Sequence, residues 1–241
     1  MAKTELGLKP YKFQKVQLLT EKNKLMRLQR CQKLLRRTAS QLWERFLFTD
    51  EKLLTVQQAH NSQNNRIWSV DAPSTSVFVE HCQHPKSVMV WGRICTSGKT
   101  RLVFVDEGIK INHKVYRRDI LEAVVLSWAK KHFDNVNWMF QQDSAPAHKA
   151  KKIPEWCKAH FPDMISSAEW PPYSPDLIPM DYSVWSILAA RACTKLHNSL
   201  KQSIRREWDR LKVEDLRPIA ENFNKRLRLC IAAKGGHFET N

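Results

Sequence analysis

Two acidic residues punctuate one segment of the chain: Asn137-Trp-Met-Phe-Gln-Gln-Asp143-Ser-Ala-Pro-Ala-His148 and Glu169-Trp-Pro-Pro-Tyr-Ser-Pro-Asp-Leu-Ile-Pro-Met-Asp181-Tyr-Ser-Val-Trp185. The first stretch is an apolar, strand-like run that ends on a carboxylate, Asp143. The second is a stiff loop, with Pro171, Pro172, Pro175 and Pro179, that delivers Asp181 to the start of an apolar helical pattern. Val184, Trp185 and Leu188 follow Asp181 at spacings of three, four and seven. That spacing puts the carboxylate on the helix's apolar face. An unpaired charge beside a core is costly, so both positions require compensation.

Upstream, Phe46-Leu-Phe-Thr-Asp50 reads as a strand continuing through Leu53-Leu-Thr-Val56, with Asp50 on the same face as Phe46 and Phe48. Residues 57–87 are a long polar excursion of the kind that is usually functional or disordered. Ser87–Cys95 is a strand, Thr96-Ser-Gly-Lys99 a hairpin turn, and Thr100–Val105 the returning strand. Asn112 can cap a helix through Phe133 whose apolar face is Tyr116, Ile120, Leu121, Val124, Val125 and Trp128. After Asp143 a helix is expected from about Ala147 to His160, bent or split at Pro154, then a short strand, Met164–Ser167. Two basic helices close the chain, from about Ser199 to Leu211 and from about Glu214 to Ala233, the second stopped by Gly235-Gly236. An earlier helix, Thr20 to about Arg45, interleaves Leu28, Cys31 and Leu35 with Lys24, Arg27, Arg30, Lys33, Arg36 and Arg37. Its basic face can track a phosphate backbone, act as a nuclear-import signal, or simply be solvated. The order predicts a mixed α/β sheet that begins as an antiparallel meander, flanked by helices.

Charge separates the chain into three parts. Residues 1–45 carry 12 Lys/Arg against 3 Asp/Glu, residues 46–188 carry 16 against 15, and residues 189–241 carry 12 against 6. A near-neutral middle between basic flanks, with a formal net charge of +16, points to a polyanion partner such as DNA or RNA. Hydrophobic residues at 42% and nine tryptophans suffice for a real core and argue against global disorder. No run approaches the roughly 18 apolar residues of a membrane span, and no signal-peptide core is read near Met1, so a soluble intracellular protein is expected. The six cysteines include no Cys-x-x-Cys pair, and His81-Cys-Gln-His84 is too tightly spaced for a usual zinc site.

Strand ends are where open α/β sheets collect their sites. Such a sheet can set Asp50 and Asp143 on neighbouring strands, and a helix packed across it can bring Asp181 to them. Three converging carboxylates suit a hard cation, Mg²⁺ or Mn²⁺, and two such ions support in-line phosphoryl displacement. Each residue has a plainer reading. Asp50 can pair with Lys52, Asp143 can cap the next helix, and Asp181 can be an N-cap. His148 can touch a phosphate or be structural.

These motifs together resemble the catalytic domain of mariner- and Tc-type DNA transposases. Phe-Thr-Asp50-Glu-Lys, Gln-Gln-Asp143-Ser-Ala-Pro-Ala-His148 and Trp170-Pro-Pro-Tyr-Ser-Pro-Asp-Leu-Ile-Pro-Met-Asp181 look like the family's three acidic motifs; Val88-Met-Val-Trp-Gly92 and Lys234-Gly-Gly-His-Phe238 also fit. The resemblance implies an RNase H-like (retroviral integrase-like) fold with C-terminal helices. It implies a metal-binding triad of Asp50, Asp143 and Asp181, holding two ions, that cleaves transposon ends and joins the freed 3′-hydroxyl to target DNA. Asp as third acid matches the mariner branch. Residues 20–241 would be the catalytic domain and 1–19 the remnant of a linker, with no counterpart of the relatives' helix-turn-helix modules. Residues 57–87 fall where relatives carry a loop that clamps a partner subunit, which implies a homodimer. His148, Lys149, Lys151 and Lys152 are candidate nucleic-acid contacts, and the nucleus is the expected compartment. Two rival readings use the same surface: a catalytically idle nucleic-acid-binding protein, and a self-association module.

Overall fold

Phe46–Thr55 forms β1, the strand on which the whole sheet is hung. Its first five residues are buried on both faces. A computed structural model describes residues 16–38, 42–55, 87–105, 112–134, 136–142, 152–193 and 199–238 of the chain. Within them the strands are β1, β2 (Ser87–Cys95), β3 (Gly98–Lys99), β4 (Val103–Val105), β5 (Met139–Gln141) and β6 (Asp163–Ile165). The sheet order is β3-β2-β1-β5-β6, with β4 also paired to β2. β1 runs antiparallel to β2 and parallel to β5, which runs parallel to β6. This is the mixed, meander-first sheet that the sequence predicts.

Alternation along β1 gives the sheet two cores. Phe46, Phe48 and Leu54 join Val90 and Ile94 in a cluster with the N-terminal and C-terminal helices. Leu47, Trp91, Cys95 and Phe140 face the other way, onto a second cluster with the central helices. The helices of the first layer are α1 (Glu21–Thr38), α4 (Met180–Val184 continuing as Trp185–Ala192), α5 (Leu200–Arg210) and α6 (Val213–Ala232). The second layer holds α3 (Lys152–His160) and α2, which runs through His113–Val115, Tyr116–Leu126 and Ser127–Phe133. Tyr116–Leu126 is wound as a π-helix, as is Met180–Val184 at the start of α4. Asn112 caps α2 as expected, its Oδ1 accepting from the Lys114 and Val115 amides at 2.9 and 3.1 Å.

Several boundaries differ from the sequence reading. α1 ends at Thr38, and Leu42–Arg45 is a separate 3-10 turn. The expected returning strand, Thr100–Val105, is shortened to β4, because Thr100–Leu102 carry no strand assignment, while β3 falls within the expected turn. The described part of α3 is Lys152–His160 and contains Pro154; the stretch from Ala147, where the helix was expected to begin, lies outside the described residues. The basic face of α1 is also partly turned inward. Arg27 is buried, Arg30 donates to the Trp170 carbonyl at 2.7 Å, and Arg37 pairs with Asp163 and Glu169. These arginines dock α1 onto its own chain, so they are not the phosphate-tracking face that their spacing suggested.

Candidate active site

Strand parity places Phe46, Phe48, Asp50, Lys52 and Leu54 on one face of β1. The two phenylalanines anchor that face in the core, and Asp50 follows them at the rim, 7% exposed. Its Oδ2 accepts a hydrogen bond from the Trp185 indole N–H at 2.6 Å. Lys52, one step further along the same face, donates from Nζ to Asp181 Oδ1 at 3.1 Å. Trp185 lies one turn beyond Asp181 on α4, so α4 is clipped to β1 at two points. Asp50 and Asp181 are thereby tied to the same face of β1, one through Trp185 and the other through Lys52.

The close approach of α4 depends on Gly92, which sits opposite Asp50 in the β1–β2 register. A Cβ there would lie 2.8 Å from Leu102 Cδ2 and 3.3 Å from both Met180 Cε and Trp185 Cη2. A side chain there would press hardest on Leu102 and more lightly on Met180 and Trp185 of α4. The π-turn Met180–Val184 sets the phase of Asp181 within that start. The helix N-cap is Pro179, with no side-chain cap, so Asp181 lies inside the first turn and is not the N-cap. Lys52, weighed from sequence as a partner of Asp50, makes its hydrogen bond to Asp181.

The proline loop before Asp181 is held from behind by Arg27, 1% exposed. Its guanidinium donates to both Asp176 carboxylate oxygens, at 3.1 and 2.6 Å, to Ser174 Oγ at 2.6 Å and to the Tyr173 carbonyl at 2.9 Å. Nε donates to the Gly235 carbonyl at 2.8 Å. Burial alone would push this guanidinium down, but the Asp176 hydrogen bonds and charge outweigh it and hold it above its ordinary value. Tyr173 adopts φ 51, a left-handed conformation that a non-glycine residue holds only where its surroundings enforce it. The bond from Arg27 to its carbonyl is one such restraint.

Asp50 and Asp181 are therefore both placed on the face of β1 that α4 covers, whereas Asp143, His148, Lys149 and Lys151 lie outside the described residues. Lys152 is exposed at the start of α3. On β5, Gln141 pairs with Phe48, and Thr49 donates from its amide and Oγ1 to the Gln141 side-chain and main-chain oxygens at 3.2 and 2.8 Å. Gln141 precedes Asp143 by two residues, as Phe48 precedes Asp50. Among the described residues no group of three His, Cys, Asp or Glu is placed to hold a metal ion. The two acids that are described fit a hard divalent cation in kind, being oxygen donors beside a core, one of them already matched by a cation, Lys52. Sequence reading missed Trp185, Gly92 and Arg27 as parts of this site, and it set Lys52 beside Asp50 rather than Asp181. The signal for Lys52 was its parity with Asp50, and for Trp185 its place one turn after Asp181.

No family model matches the chain. Over 198 residues, 80% of its length, it is 28% identical to the Tc3 transposase of Caenorhabditis elegans. The chain is homologous to the Tc3 and Tcb transposases. Identity to the Tcb2 transposase of Caenorhabditis briggsae is 29% over 154 residues, 62% of this chain. The chain spans only about half the length of these relatives, 57% of Tc3 and 53% of Tcb2. Among solved structures, the catalytic domain of the Mos1 mariner transposase matches with a TM-score of 0.70 at 18% identity, covering 94% of this chain and 100% of that one. The Mos1 paired-end complex with its left transposon end matches at 0.81 and 19%, covering 98% of this chain and 70% of that chain. The Mos1 paired-end complex with Mn matches at 0.82 and 20%, covering 98% and 69%. The Tc3/Tcb homologue thus has the RNase H-like fold of the Mos1 catalytic domain, a mixed sheet flanked by helices.

Proposed function

We propose that this chain is a transposase catalytic domain that cleaves DNA at transposon ends and joins the freed 3′-hydroxyl to target DNA, with Asp50, Asp143 and Asp181 as its metal-binding acids. The observation that supports this reading is that two contacts tie α4 to one face of β1, Trp185 to Asp50 and Lys52 to Asp181, with the two acids 131 residues apart in sequence. Homology to Tc3 and Tcb2 supports the reaction class. Two Mg²⁺ or Mn²⁺ ions would supply activation of the attacking oxygen and stabilisation of the leaving one. The residues of the chain supply the frame. Trp185 orients Asp50, the start of α4 aims Asp181, and Gly92 allows the two elements to meet. Manganese in a similar Mos1 complex supports the choice of ion.

DNA is the proposed polyanion, met by His148, Lys149, Lys151 and Lys152 and by the basic C-terminal helices. A homodimer, with residues 57–87 as the clamp, is proposed from the resemblance and is supported by the paired-end state of the Mos1 complexes. Residues 20–241 are the proposed catalytic domain, after a linker remnant at 1–19, and the nucleus is the proposed compartment. No helix among the described residues is long and apolar enough to cross a membrane.

Supercoiled-plasmid nicking tests the function. Nicking that requires Mg²⁺ or Mn²⁺ and disappears in Asp50→Asn and in Asp143→Asn is the expected result. Salt-sensitive DNA binding with no nicking, unchanged by either substitution, would replace the enzyme with an idle nucleic-acid-binding protein.

A further inference from the structure

We propose that Lys52 is a resident counter-cation of the acidic site, competing directly with the divalent metal for Asp181. The inference rests on the reading of these acids as a metal site. Lys52 and Asp50 share one face of β1, and the Lys52 ammonium reaches across to Asp181 Oδ1 at 3.1 Å. The lysine side chain is 43% exposed and the aspartate 18%, so the pair sits at the rim, where it can open without disturbing the core. Asp50 accepts a hydrogen bond from the neutral Trp185 indole, which orients the carboxylate. Lys52 brings a full charge, on a flexible stem that can withdraw at little cost.

An ammonium and a divalent cation on one carboxylate repel each other. While Lys52 stays on Asp181 Oδ1, a cation entering at either oxygen of that carboxylate is opposed by its charge. In that position Lys52 offsets the charge of Asp181 and keeps the start of α4 clipped to β1. Such a contact holds the acid in place and weakens its affinity for the metal at the same time. A plain rim ion pair would do only the first.

Mn²⁺ binding, followed by electron paramagnetic resonance of the free ion and by calorimetry, separates the cases without any DNA or turnover. Lys52→Met and Lys52→Gln are expected to bind Mn²⁺ roughly tenfold more tightly than wild type, the scale of losing one nearby positive charge and its pair. Lys52→Arg, which keeps the charge, is expected to stay close to wild type. Unchanged or weaker binding in both neutral variants overturns the proposal. If that result comes with wild-type binding that is lost in Asp50→Asn, the metal site stands and only the role of Lys52 falls. No saturable binding in wild type or in any variant overturns the metal site and the proposal together.

Discussion

Arg27 and Arg93 are both buried guanidinium groups, and their surroundings assign them opposite effects. Arg27 is matched by Asp176, Ser174 and two carbonyls that tie α1 to the proline loop and to the end of α6. Arg27→Met should cost about 3–5 kcal/mol in urea unfolding, because Asp176 is left partly buried without its cation. Arg27→Lys should recover little, since one ammonium cannot reproduce the planar fork. Arg93 is fully buried below the sheet, where only Nη2 has an acceptor, the Val125 carbonyl at 3.4 Å, and the group stacks over Trp128 at 4.4 Å. Its Nε and Nη1 have no hydrogen-bond partner among the described residues. Burial pushes this guanidinium down to about 9, still charged at neutral pH. Arg93→Met should therefore stabilise the fold by about 1–3 kcal/mol, read as a higher melting temperature. A lower melting temperature would show that the Trp128 contact outweighs the desolvation.

At the scale of elements, the docking of α1 onto the β6 edge responds to pH. Arg37 joins Asp163 and Glu169, and Glu169 also accepts from the Ser166 amide and hydroxyl at 2.9 and 2.8 Å. Desolvation pushes the Glu169 carboxyl up, but the Ser166 hydrogen bonds and Arg37 outweigh it and hold the group below its ordinary 4.5. A depressed carboxyl stabilises the fold above its unfolded value, and that contribution fades as pH falls through the folded one. Wild type should melt above Glu169→Gln at neutral pH, and the gap should close as pH falls below 4.5. A gap that persists in acid would mean that the contact is not electrostatic. Element types were legible where periodicity was long, as in α2 with its Asn112 cap. The inward turn of the α1 arginines was not, because a charged residue beside an apolar stripe reads the same whether it meets water or a buried carboxylate.

For the whole molecule, the test is how the charge of +16 is used. Binding to duplex DNA should weaken steeply with salt, and Lys152→Glu should reduce the slope of log affinity against log salt. Sedimentation with transposon-end DNA should show two chains per complex; one chain per DNA would remove the proposed dimer. From sequence alone came the order of elements along the chain, the mixed, meander-first sheet, the basic flanks and the three acidic motifs, because strand alternation, helical spacing and net charge are local or additive properties. The placement of Asp181 also followed from spacing, since positions three, four and seven beyond it share one helix face. Tertiary structure alone decided what meets these acids. Lys52 reaches Asp181, Trp185 reaches Asp50, Gly92 makes room for both, and Arg27 braces the loop from the opposite end of the chain. Those partners are far apart in sequence, and each is chosen by how α1, α4 and α6 pack over β1. A one-dimensional pattern can demand that a buried carboxylate be compensated, but only packing selects the group that compensates it.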